Sequence, residues 1–365
     1  MNGRLDSLDA LRGFDMFWII GGGALVVAMS KALGMGDGTF LYDQMHHAPW
    51  HGLRFMDTVF PLFLFVAGVS YPFSAAKRLA GGTTKLRLSL VALRRGLALV
   101  FLGLVYNNFF AFDFQHLRVW SVLGRIGLAW MFAAWLYLAL GTRARMAVAA
   151  AIVVGSWLFF WLVPAPGAEA GADTFSPAGN FGCWLDRTLT NGHTYKPLFD
   201  PEGFAGLLPA VATAMLGMFA GEWVRRDDVS GGRKAAGLLA AAAASALAAA
   251  ALAPFCPVNK ALWSSSFVLA VGAYSFLMFA IFYWVVDVRG WKRWTFFFRV
   301  IGMNSIAIYM AQRFVDFNKV SSFFAGGAVG LLPEAWQAAG GRIAYIAVCW
   351  LFLLFLYRHK AFFKV

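Results

Sequence analysis

The chain has 365 residues, 60% of them hydrophobic and only 13% charged, and its 31 Lys and Arg against 18 Asp and Glu give a formal net charge of +13. A soluble domain carries roughly 25% charged residues, so this composition excludes a water-exposed globule and leaves apolar sequence for many membrane spans of about 20 residues. The basic residues fall in short clusters between apolar runs, with no Arg-rich arm interleaved with stacking aromatics; that pattern speaks for membrane topology and against nucleic-acid binding.

Hydropathy predicts an all-α polytopic membrane helix bundle of about ten transmembrane helices, forming a single domain over 1–365. The spans fall near 13–33, 56–74, 94–112, 119–140, 146–163, 204–223, 235–253, 263–287, 295–314 and 343–357. The stretch through Arg12 is charged and the run after it is long enough to span, so no cleavable leader is expected. In this first span Asp9, Arg12 and Asp15 lie three residues apart; Asp9 and Arg12 can pair at i, i+3, while Asp15 is deeper. A charge at mid-membrane costs about 2.5–3.5 kcal/mol and usually marks function. Gly21-Gly22-Gly23 follows, suited either to close helix packing or to a threaded ligand.

The next stretch carries His46, His47 and His51 just before Asp57 at the start of span two. Histidine is the usual general base near neutral pH, and a nearby carboxylate can orient it. His47 and His51 have the i, i+4 spacing of a metal pair, but no HExxH or third ligand accompanies them, so no metal is expected. Arg94 and Arg95 belong to a basic cluster that begins at Lys77, and Asn107-Asn108 stands at the end of span three. Arg125 lies a turn inside span four and needs a partner: either Asp15 or Asp57 as structural glue, or an anion.

The longest outer loop, 164–203, is rich in Pro, Gly and Asn and carries Trp184, Asp186, His193, Tyr195 and Asp200, which suggests an ordered cap. Cys183 and Cys256 form either a disulfide or two free thiols, and Cys349 stands apart. Asn259-Lys260 precedes span eight with Trp263 just behind, and Asn304 lies in span nine. The glycine-rich stretch 316–341 reads as partly re-entrant and leaves a short last span before Lys360.

An even number of spans puts both termini on one side. Of the 31 Lys and Arg, 21 lie in or near the loops and termini of that side, so it is expected to be cytoplasmic and the membrane to be a bacterial inner membrane.

Several stretches carry a resemblance, in order and over nearly the whole chain. They are Arg4-Leu5-Asp6-Ser7-Leu8-Asp9-Ala10-Leu11-Arg12-Gly13, His47-Ala48-Pro49-Trp50-His51-Gly52-Leu53 running on to Asp57-Thr58-Val59-Phe60-Pro61, and Leu123-Gly124-Arg125-Ile126-Gly127. Asp200-Pro201-Glu202-Gly203, Pro257-Val258-Asn259-Lys260-Ala261-Leu262-Trp263-Ser264 and Gly302-Met303-Asn304-Ser305 complete the set. Together they resemble the heparan-alpha-glucosaminide N-acetyltransferase family, in its bacterial, NagX-type branch. The resemblance implies acetyl transfer from cytoplasmic acetyl-CoA to the amine of a glucosamine-type sugar across the membrane, with the family's histidine at His47. Lysosomal members bear an Asn near the triple glycine, whereas Phe17-Trp18-Ile19-Ile20-Gly21 here has no amide.

On this reading His47 is the general base, or carries the acetyl group itself, and Asp57 orients it. Arg12, Arg94, Arg95 or Lys360 hold the phosphates of acetyl-CoA, and Asp15, Arg125, Asn259, Lys260, Trp263 and Asn304 form the substrate site, with Arg125 or Asn304 facing the oxyanion. The expected partners are the amino sugar, acetyl-CoA and membrane lipids, with a homodimer open. Two rival readings are an amino-sugar permease and an envelope-glycan O-acyltransferase; absence of visible inverted repeats weighs against the first.

Overall fold

A computed structural model describes residues 5–363; Arg4, which opens the first motif, lies outside them. Among the described residues every named regular element is a helix, and nine helices are long and apolar enough to cross a membrane. The first span is broken: α1 (Asp6–Phe17) passes through a π turn (Trp18–Gly22) into α2 (Gly23–Ala32). The short α3 (Phe40–Gln44) leads to α4 (Phe55–Ala80) and α5 (Lys85–Tyr106), then α6 (Val122–Ala139) and α7 (Thr142–Leu162). After α8 (Phe181–Leu189) come α9 (Leu207–Arg225), α10 (Gly231–Leu252) and α11 (Ser265–Phe282), the last extended by a π segment to Val288. The chain then folds into α12 (Thr295–Met303), α13 (Ser305–Phe314), α14 (Phe317–Gly330) and α15 (Glu334–Arg358).

Three sequence expectations change. The ninth span, 295–314, is two short helices broken at Asn304, where a backbone φ of −131° interrupts the helical path. The last span is not short: α15 begins at Glu334, so the supposedly re-entrant stretch divides between α14 and the first turns of α15. Span three ends at Tyr106, and Asn107 closes it by donating its amide to the Arg118 and Trp120 carbonyls, 2.9 Å each, which makes it local glue. Hydropathy misplaces that end because Phe109, Phe110 and Phe112 continue the apolar run past the last helical residue.

α4 is the axis of the bundle. Its residues feed both main cores, Phe60, Leu64 and Tyr71 on one side and Leu62, Phe65 and Val69 on the other. Helices in lipid lack a hydrophobic drive to associate and depend on close packing. α9 approaches α4 so tightly that a β-carbon on Gly217 would stand 2.1 Å from the Phe65 carbonyl oxygen. The triple glycine is packed as well: β-carbons at Gly21, Gly22 and Gly23 would meet Ile346, the Phe17 ring and Met56. Close packing, not a threaded ligand, accounts for those three positions.

Candidate active site

One site lies at the N-terminal end of α4. Asp57 occupies the first turn of that helix, where unpaired backbone donors favour a carboxylate. Its Oδ2 accepts from the backbone N–H groups of Arg54, 3.0 Å, and Ala48, 3.1 Å, and so fixes the 45–54 loop against the helix. Its Oδ1 lies 2.7 Å from His47 Nδ1. A carboxylate at that distance holds the proton on Nδ1 and leaves Nε2 as the acceptor. Asp57 is 1% exposed, whereas the His47 side chain is 57% exposed, so an anchored carboxylate orients an accessible imidazole. Lys260 Nζ sits 3.1 Å from His47 Nδ1, 3.3 Å from its Nε2 and 3.7 Å from Asp57 Oδ1. Burial pushes the Lys260 ammonium below the usual lysine range, partly countered by Asp57.

These three groups line a cavity of about 280 Å³ together with Trp50, Tyr195, Phe199 and Glu202. The loop 164–203 is the ordered cap its aromatics suggested. Arg118 Nε donates to Asp200 Oδ2 at 2.7 Å, Arg118 also donates to Glu202, and its guanidinium lies 4.9 Å from the centre of the Tyr195 ring. Asp200 further accepts from the Tyr195 backbone N–H at 3.0 Å. Arg125 stands one layer behind, 3% exposed, donating to the carbonyls of Pro201, 2.8 Å, and Gly203, 2.6 Å, and lying over Trp263 at 5.1 Å. Its partners are therefore backbone carbonyls of the cap, not Asp15 or Asp57, because the loop reaches it first. Asp186 shares this layer; burial pushes its carboxyl up to about 6, opposed by Arg125.

A second, larger cavity of about 840 Å³ lies toward the other end of α4, lined by Arg12, Arg78, Arg94 and Arg95 over an apolar wall that includes Phe63, Leu102 and Trp130. The structure thus brings three of the four predicted cosubstrate residues together and adds Arg78. Lys360 is not among the lining residues, although Phe362 and Phe363 are. Arg12 also pairs with Asp9 at 3.3 Å and donates to Ser70 at 3.3 Å, so the i, i+3 pair forms.

The other predicted site residues fall outside both cavities. Asp15 is buried between helices, with Oδ2 lacking a hydrogen-bond partner among the described residues. Asn259 builds the turn before α11, accepting from the Leu262 N–H at 2.9 Å, and touches His51 at 3.3 Å. Trp263 is fully buried and donates to Thr213 at 3.1 Å. Asn304 accepts from the Phe363 N–H at 3.1 Å and so ties the C-terminal segment to the helix break. His46 turns to the Tyr42 carbonyl, 2.8 Å, and since 45–54 is not helical, the i, i+4 spacing of His47 and His51 brings no helical pairing. Sequence reasoning does not single out Glu202, Trp50, Tyr195 or Phe199 as site residues. Of these, Trp50 and Glu202 lie in stretches that carry the family resemblance, and Tyr195 is visible only as a cap aromatic.

Cys183 and Cys256 share an apolar cluster with Phe160, Phe175 and Leu262, and both thiols are free. Burial pushes the Cys183 thiol up to about 12, which suppresses the reactive thiolate. Mass mapping without reductant is expected to find both thiols unpaired and alkylated only on unfolding; a linked Cys183–Cys256 peptide would contradict this.

No family model matches the chain. It is similar to heparan-alpha-glucosaminide N-acetyltransferase of Homo sapiens, 26% identical over 99% of this chain and 60% of the human protein, and to the same enzyme of Mus musculus, 27% identical over 99% of this chain and 61% of the mouse protein. The chain thus spans about three fifths of the length of these relatives. The similarity supports the family resemblance carried by the motifs and does not single out a bacterial branch.

Proposed function

We propose that this relative of the heparan-alpha-glucosaminide N-acetyltransferases is a membrane-embedded acetyltransferase, moving an acetyl group from acetyl-CoA to the amine of a glucosamine-type sugar on the opposite side of a bacterial inner membrane. The observation that carries this reading is that one helix, α4, lines both cavities. Phe63, Ala67, Ser70, Ser74 and Arg78 line the basic cavity, and Asp57 lines the outer one. From Asp57 to Arg78 is about 30 Å at 1.5 Å per residue, the thickness of a hydrocarbon core. The basic cavity lies with the Lys- and Arg-rich loops, which the positive-inside rule assigns to the cytoplasm. With α12 and α13 crossing together as one broken span beside the nine long helices among the described residues, ten crossings put both termini on that side.

Arg12, Arg78, Arg94 and Arg95 would hold the phosphates of CoA, for which guanidinium geometry is suited. The apolar wall would take the pantetheine arm. Phe60, one turn from Asp57 and packed edge-on to Trp263 at 4.9 Å, lies on α4 between the residues that line the two cavities. In the outer cavity His47 Nε2 takes a proton from the acceptor ammonium, and the free amine attacks the thioester carbonyl. The Lys260 ammonium faces the developing oxyanion, the role the sequence suggested for Arg125 or Asn304. Collapse of the tetrahedral intermediate expels the CoA thiolate, which His47 reprotonates; the neutral imidazole then takes the second proton from the nitrogen and passes it to water, so that the amide, the CoA thiol and one proton leave.

Purified protein supplied with acetyl-CoA and labelled glucosamine is expected to yield N-acetylglucosamine and free CoA. Uptake of glucosamine into vesicles without acetylation would favour the permease instead. Replacing Arg94 and Arg95 together by Ala is expected to raise the KM for acetyl-CoA at least about 10-fold, since a hydrogen bond to a charged group is worth about 1.5–3 kcal/mol. The acceptor KM should stay unchanged, and a KM for acetyl-CoA equal to that of the unaltered protein would move the cosubstrate elsewhere.

A further inference from the structure

Glu202 has no assigned role, yet it is the second buried carboxylate of the outer cavity. Arg118 engages its Oε2, while among the described residues Oε1 accepts no hydrogen bond. Around this pocket four carboxylates, Asp57, Asp186, Asp200 and Glu202, meet three cations, Arg118, Arg125 and Lys260. Of the remaining nearby cations, Arg54 pairs with Asp43 at 3.7 Å, and Lys196, though exposed, also lines the cavity. Of the two carboxylates that line the cavity, Asp57 has both oxygens engaged, whereas Glu202 keeps Oε1 free among the described residues. Trp50, Tyr195 and Phe199 supply aromatic walls, with Trp50 held by its indole N–H on the Phe175 carbonyl at 2.8 Å and packed on Phe199 at 4.7 Å. Aromatic rings with a few placed polar groups suit a ligand that is amphipathic and polar-edged.

We infer that Glu202 is the specificity-determining residue for the acceptor's charged amine: its free carboxylate oxygen receives the ammonium of an amino sugar beside His47 Nε2, while Arg118 holds the carboxylate in place. The inference rests on the acetyltransferase reading for its chemistry, but its binding step stands alone. The ammonium offers one N–H to Glu202 and another to His47. An amine so held is oriented before it loses its proton, and a sugar with only hydroxyl groups offers Oε1 only a neutral donor.

The test is equilibrium binding of glucosamine and of glucose to the purified full chain, unaltered and as Glu202→Gln and Glu202→Asp, with acetyl transfer measured alongside. The unaltered protein is expected to prefer glucosamine. Glu202→Gln should narrow that preference at least about 10-fold, the scale of a lost charge-assisted hydrogen bond, while glucose and acetyl-CoA bind as before. Glu202→Asp, which keeps the charge, should retain part of the preference and serves if the Gln variant does not fold. An unchanged glucosamine-to-glucose ratio, or equal loss of both sugars, would overturn the inference and leave Glu202 as a strut for Arg118. Absence of acetyl transfer in the unaltered protein would instead sink the acetyltransferase reading, with the binding ratio still deciding the role of Glu202.

Discussion

His47→Ala is expected to lose about 10²–10⁴-fold in acetyl transfer, the range contributed by a general base, while acetyl-CoA still binds and the protein still folds. His47 is the accessible member of the pair it forms with Asp57, so its removal opens space at a cavity mouth and leaves no hole in a core. The helix start survives, because Asp57 Oδ2 is engaged by the backbone of Ala48 and Arg54 and not by the imidazole. The basic cavity proposed for acetyl-CoA lies far down α4, so donor affinity should stay within a factor of about two. His46→Ala and His51→Ala are the controls. His46 faces the Tyr42 carbonyl, and His51 faces Asn259, with its imidazole pushed below the usual histidine range by burial, so neither has a carboxylate orienting it. Steady-state turnover with saturating acceptor would decide the matter. Near-normal turnover of His47→Ala would shift the base to another group, Asp57 first.

Asp57→Asn is expected to cost at least about 10²-fold in turnover with little loss of stability, and the reason lies in hydrogen-bond direction. The Asn side chain can keep its carbonyl oxygen on the two backbone N–H groups that Asp57 Oδ2 now satisfies. Its NH₂ then faces His47 Nδ1, which must become an acceptor, so the proton moves to Nε2 and the nitrogen aimed into the cavity can no longer take one. Lys260 also loses the carboxylate 3.7 Å from its ammonium. Asp57→Ala removes the cap as well, and its thermal stability should fall by about 0.5–2 kcal/mol beyond that of the Asn variant. Equal turnover in the Asn variant and the unaltered protein would show that Asp57 acts only as a helix cap.

Much of this molecule is legible in its amino-acid order. Hydrophobic runs of span length and the clustering of Lys and Arg in short loops are one-dimensional signals, because a membrane requires each crossing segment to satisfy its own backbone and to be apolar along its own length. The pairing of His47 with Asp57 is readable for a similar reason. Both lie on one short loop and the helix turn that follows it, so ten residues of local chain determine their geometry. The sequence also marks Arg12, Arg94 and Arg95 as candidate phosphate ligands, although only their shared basic side is visible in it.

Tertiary structure decides the rest, wherever the partner of a polar group is distant in the chain. Arg125 plainly needs a partner, but the carbonyls of Pro201 and Gly203 lie more than 70 residues away and carry no sequence signal of acceptance. Glu202 enters the cavity only because Arg118, from the α5–α6 connection, clamps it and Asp200 from outside. The break at Asn304 is hidden because its flanks are as apolar as any span; a helix ends there through its contacts with the C-terminal segment, not through hydropathy. Periodicity reports which residues prefer lipid or core, a property of each residue, whereas the pairing of buried charges depends on which loops the bundle brings together.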